Sequence, residues 1–139
     1  MVKESLYRRV RLLVVSTKRT PEELASYFDM PTDRAVLAGE HQGYASSAAA
    51  AENIWELQEA GSSNSDISDL LEALYARALP LTKQLREIKN QDCTVILRII
   101  LYLSANDEHG GGFVISQPIL EWMNVIGIDF VDVDQYVIE

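Results

Sequence analysis

The chain has 139 residues, of which 47% are hydrophobic and 24% charged, and a formal charge of −9. That length supplies one core of ordinary size. The surplus of 21 acidic over 12 basic residues argues against binding to phosphate backbones or anionic membranes, so no nucleic-acid or membrane partner is expected. No apolar run approaches the roughly 20 residues that span a bilayer, and the N-terminus lacks a secretory apolar region, which predicts a cytoplasmic protein. Cys93 stands alone, which excludes an intrachain disulfide and a cysteine-rich zinc site.

Residues 6–17 read as a strand with apolar Leu6, Val10, Leu12 and Val14 on one face. Thr20-Pro21-Glu22-Glu23 is a capping box with proline at the first helical position, and it predicts a helix over 21–29 with Leu24 and Phe28 inward. Pro31 stops that helix. Short strands are predicted over 34–38 and over 53–58, the second carrying Trp55. The alanine-rich tract between them, residues 44–52, reads as a loop because a short helix without a tertiary face nucleates poorly.

Ile67, Leu70, Leu71, Leu74 and Ala78 recur at helical spacing, as do Leu81, Leu85 and Ile88 beyond Pro80. Pro80 removes an amide and crowds the preceding turn, so a break is expected there. The strongest strand is 94–104, with Val95, Leu97, Ile99, Leu101 and Leu103 alternating. A polar, glycine-rich loop follows, then a short strand over 113–115. Ser116 caps a helix bearing Ile119, Trp122, Met123 and Ile126, Gly127 ends it, and 128–138 forms the last strand.

This order predicts an α+β fold in one domain spanning 1–139. A single, mostly antiparallel sheet carries helices on one face: a ferredoxin-like βαββαβ core plus a C-terminal βαβ extension. The predicted core comprises Val10, Leu12, Val14, Leu70, Leu74, Leu97, Ile99, Leu101, Ile119, Met123, Val131 and Val133.

Several short motifs are familiar: Met30-Pro31-Thr32-Asp33-Arg34, Ala38-Gly39-Glu40, Trp55-Glu56-Leu57, Ile115-Ser116-Gln117-Pro118-Ile119-Leu120 and the stretch from Ile126 through Asp129 to Tyr136. In their order along nearly the whole chain they resemble the bacterial family catalogued as domain of unknown function 4279. The chain departs from it at residues 44–52, which look like an insertion. The resemblance implies a small bacterial α+β domain without assigned activity, and no catalytic residues carry over.

Asp107-Glu108-His109 followed by Gly110, Gly111 and Gly112 offers consecutive metal ligands. Consecutive side chains rarely converge on one ion, and the acids would repel an anion held by the glycine amides, so a polar connector is the expectation. His41 has the pKa range of a general base, but no nucleophile motif accompanies it. Cys93 opens a strand whose alternation turns it inward, where a free thiol acts as a small hydrophobe. Trp55 and Trp122 could stack on a ligand, although Trp122 shares a helical face with core residues. No metal or cofactor is expected.

Alternation sends Tyr7, Arg9 and Arg11 to the face away from the helices, with Arg98 and Tyr102, and with Phe130, Asp132, Asp134 and Tyr136. This face supports either cross-strand pairing or docking of a partner. Asp129 falls on the opposite face at the start of the last strand, within reach of water. Charge is segregated: residues 1–20 hold six bases and one acid, and residues 99–139 hold seven acids and no Lys or Arg. Either the first and last segments pair, or the acidic end meets a cationic partner. The expected function is a protein-interaction domain, in concrete form an immunity-type protein masking a basic toxin through Phe130, Asp132, Asp134, Tyr136 and Tyr102. The alternative is a small-ligand-binding protein or enzyme with a site near Trp55, His41 and the loop from Asp107 to Gly112.

Overall fold

A computed structural model describes residues 8–33, 52–61, 65–104 and 112–138. Within them the chain forms β1 (Arg8–Ser16), α1 (Pro21–Phe28), β2 (Asn53–Gly61), α2 (Ile67–Ala78), α3 (Thr82–Ile88), β3 (Cys93–Ser104), α4 (Gln117–Ile126) and β4 (Phe130–Ile138). The local signals act where they stand. The Thr20 hydroxyl accepts from the Glu23 amide and the Glu23 carboxylate accepts from the Thr20 amide, so the capping box is complete. Pro80 breaks the long helical region into α2 and α3 through a single 3₁₀ turn, Leu79–Leu81. Gly127 closes α4 with φ of 71°, a conformation that costs glycine nothing.

The four strands lie in the order β2-β1-β3-β4. β1 is antiparallel to both neighbours, so β2 and β3 run the same way with β1 between them. β3 and β4 are parallel, and α4 makes the crossover between them. The sheet is therefore mixed, two antiparallel pairings and one parallel.

All four helices bury their apolar stripes on the same face. Leu24, Phe28, Leu71, Leu74, Leu85, Ile88, Ile119 and Trp122 form one core with Val10, Leu12, Val14, Trp55, Leu57, Val95, Leu97 and Ile99. A smaller cluster of Leu13, Val15 and Ile54 lies on the opposite face. Among the described residues no helix is long and apolar enough to cross a membrane.

The strand expected at 113–115 is not formed. Its chain instead lies along α2: the Val114 amide donates to the Ser68 hydroxyl, and the Ser116 hydroxyl donates to the Glu72 carboxylate. Ser116 occupies the N-cap of α4 but makes no side-chain cap bond. The βαβ unit at the C-terminus therefore begins at β3, not at a separate strand. The strand expected at 34–38 in the ferredoxin-like order falls outside the described residues.

Val131 and Val133 are a second correction, for both are exposed rather than buried. α4 turns Ile119, Trp122 and Ile126 into the core and packs against α3, which leaves the helix-side face of β4 uncovered. Leu70 and Met123 are half-buried at the core margin, and the other eight predicted core residues are buried.

Candidate functional site

The strand register sets one polar row across the face opposite the helices: Gln58, Arg11, Arg98 and Asp132, one residue from each strand. Arg11 and Arg98 are thus direct cross-strand neighbours, a like-charge pairing that destabilises a sheet unless each cation turns elsewhere. They turn in opposite directions. Arg11 donates from Nε to Gln58 Oε1 at 2.7 Å and lies 3.5 Å from the Glu56 carboxylate, which is buried. Arg98 turns to the edge and meets Asp132 at 3.3 Å and Asp134 at 3.8 Å.

β3 stands between β1 and β4, so the basic first strand cannot pair with the acidic last one. Two carboxylates of β4 share one guanidinium, and both remain more than 40% exposed. The edge keeps a surplus negative charge that water and screening ions must offset.

Apolar exposure accompanies that charge. Phe130 and Tyr136 are exposed on the same face as Asp132 and Asp134, and Val131 and Val133 are exposed on the other. A shallow hollow of about 190 Å³ lies beside the start of β4, lined by Met123, Asn124, Ile128, Asp129, Phe130 and Val131. Asp129 is not simply bathed by water there. Its carboxylate accepts from the Val95 amide at 2.9 Å and pairs with Lys89, while its own amide donates to the Val95 carbonyl. It ties the entry of β4 to β3 and to the end of α3. Tyr102 sits in register with Tyr136.

Of the residues named for the alternative site, Trp55 and Gly112 lie among the described ones. Trp55 is fully buried, stacks on Phe28 at 4.5 Å and donates from Nε1 to the Met30 carbonyl, so it presents no surface to a ligand. His41, Asp107, Glu108, His109, Gly110 and Gly111 fall outside the described residues. Trp122 is likewise a core residue, donating to the Thr82 hydroxyl and meeting Tyr75 edge to face. Cys93 is buried, and that burial pushes its thiol pKa up, away from the nucleophilic thiolate. Among the described residues no three His, Cys, Asp or Glu side chains converge where an ion could be held.

One polar cluster escaped the sequence reading. The Thr32 hydroxyl accepts from the Glu56 amide and donates to the Glu56 carbonyl, so the chain after α1 is fastened to the outer edge of β2. Asp33 follows, accepting from the Gln58 amide at 2.8 Å and from both terminal nitrogens of Arg77. Arg77 also reaches Glu59 at 2.7 Å. The motif around Met30-Pro31-Thr32-Asp33 is thereby a clamp joining α1, β2 and α2. Only Pro31 followed by two turn-prone polar residues signals it in the sequence.

The model of one protein family, described as "Domain of unknown function (DUF4279)", matches residues 5–138. No curated protein and no solved structure matches the chain.

Proposed function

The chain belongs to the DUF4279 family, and we propose that it is a protein-interaction domain whose acidic edge strand receives a basic protein partner. In its concrete form it is an immunity-type protein of the bacterial cytoplasm that masks a cationic toxin such as a nuclease. The observation that carries this reading is the sharing of Arg98 by Asp132 and Asp134 on an exposed strand flanked by Phe130 and Tyr136. Surplus charge beside exposed aromatic surface suits a docking face, because complementary charge speeds encounter and exposed rings supply contact area. The placement of β1 between antiparallel β2 and β3 also supports a ferredoxin-like core as the scaffold.

The test uses the wild-type chain and an Asp132→Asn, Asp134→Asn double variant as baits in cells of the source organism. The expected result is a basic protein retained by the wild type alone, toxic when expressed by itself and harmless when co-expressed with this chain. Equal retention by both baits, or a retained protein that is acidic, would refute the reading.

A further inference from the structure

β4 is an edge strand nine residues long, and among the described residues it pairs with β3 only. Edge strands of this length normally carry a bulge, a proline or a covering element, because unpaired amides and carbonyls template further strands. The segment Phe-Val-Asp-Val-Asp-Gln-Tyr-Val-Ile has no proline, and its register with β3 is continuous from Phe130 to Ile138. Among the described residues its protection is the pair of aspartates, which repels one kind of strand and admits another.

We infer that the outer edge of β4 takes up an extended segment of the partner as a fifth strand, with Lys or Arg at alternate positions against Asp132 and Asp134 and apolar residues between them. This rests on the proposed basic partner and specifies how that partner is held. The alternation follows from the pleat: Asp132 and Asp134 point to one face, and Val131 and Val133 to the other. An added strand would set its cations beside carboxylates that already share a single arginine. Its intervening side chains would cover two exposed valines and reach the hollow beside Met123 and Ile128. Main-chain bonds supply the attachment and the alternate pockets supply the selection.

A second copy of the chain is the wrong occupant on the same grounds. Full antiparallel overlap of two Phe130–Ile138 strands sets Asp134 directly against Asp134, a like-charge cross-strand pair on an edge already acidic.

The probe is a synthetic peptide alternating Lys and Val, compared with a peptide of the same composition in which the lysines and valines are grouped. The expected result is salt-sensitive binding of the alternating peptide, slowed exchange of alternate β4 amides, and no comparable binding of the grouped peptide. Val133→Lys substitutes an exposed residue, so the fold should persist, while affinity falls roughly tenfold from like-charge opposition and lost contact. Asp132→Asn with Asp134→Asn should reduce affinity at least roughly threefold and remove most of the salt sensitivity. Equal binding of both peptides, without protection of β4 amides, would overturn strand addition while leaving a basic partner intact. Failure of both cationic peptides to bind would overturn strand addition and the basic partner together. Protection of the outward-facing β4 amides in the peptide-free protein, together with a dimeric mass in sedimentation, would overturn it in favour of a second copy.

Discussion

Asp33 shows how one carboxylate couples a loop to two elements. Burial alone would raise its pKa, but the Arg77 guanidinium and the Gln58 amide outweigh burial and hold the carboxyl below its ordinary value. The Asp33 and Glu59 carboxylates in turn hold the Arg77 guanidinium more firmly protonated. A folded-state pKa below the unfolded one means that Asp33 adds stability above the ordinary aspartate range. That increment is lost as pH falls through the lower, folded value. Asp33→Asn should therefore lower stability at pH 7 by about 1 kcal/mol, a modest figure because the pair is a third exposed. Denaturant midpoints of the two proteins should converge on acidification. A difference that persists unchanged well below the carboxylate range would show that the side chain's shape, not its charge, holds the clamp. Cys93 presents the opposite case, a group pushed out of reactivity by burial, and it should resist alkylation at neutral pH until the chain unfolds.

At the scale of elements, β3 and β4 are neighbours that each carry apolar residues at alternate positions of the helix-side face but lie in different surroundings. Ile99 and Val133 are register partners on the same face, yet Ile99 is fully buried and Val133 is 45% exposed. Ile99→Ala should cost about 2–5 kcal/mol through lost transfer energy and the cavity left behind. Val133→Ala should cost about 0.5 kcal/mol, the usual scale for a surface change. Thermal or urea unfolding of the two variants tests this directly, and equal losses would place a covering layer over β4. The contrast also explains what the sequence made legible. Alternation reports the two-residue period of a strand, so both strands, their faces and the meeting of arginines with Asp132 and Asp134 on one face could be read, while the choice of Arg98 over Arg9 and Arg11 follows from the strand order. It does not report whether a helix reaches over the strand, so Val131 and Val133 were misplaced. Pro80 and the Thr20 capping box were legible because their effects are local. The Asp33–Arg77 clamp was not, because its members are 44 residues apart and meet only after α1, β2 and α2 assemble. Phe113 and Ile115 pack against the core as their apolar character suggests, but three residues cannot reveal that the Val114 amide bonds to the Ser68 hydroxyl of α2 rather than to a strand.

For the whole molecule, the net charge of −9 sets two opposed responses to salt. Screening relieves the mutual repulsion of the surplus acids and thereby favours the folded chain. It also weakens exposed pairs such as Lys18–Asp92, which contribute about 0–1 kcal/mol each. The buried Arg11–Glu56 pair lies beyond the reach of mobile ions and contributes little to either response. With nine surplus charges on a small domain, repulsion should dominate, and the thermal midpoint should rise as sodium chloride is added to a low-salt buffer. Arg98→Gln sharpens the test because it removes the one guanidinium that Asp132 and Asp134 share. Those carboxylates stand two residues apart on one face, roughly 7 Å, well inside the screening length at low salt. The variant should lose about 1 kcal/mol at low salt and recover most of it at high salt, giving a steeper rise than the wild type. A wild-type midpoint that falls with salt would mean that the ion pairs outweigh the net charge. Parallel curves for wild type and Arg98→Gln would mean that the two aspartates are already solvated independently of Arg98, and the edge would then carry two unneutralised charges toward any partner instead of one.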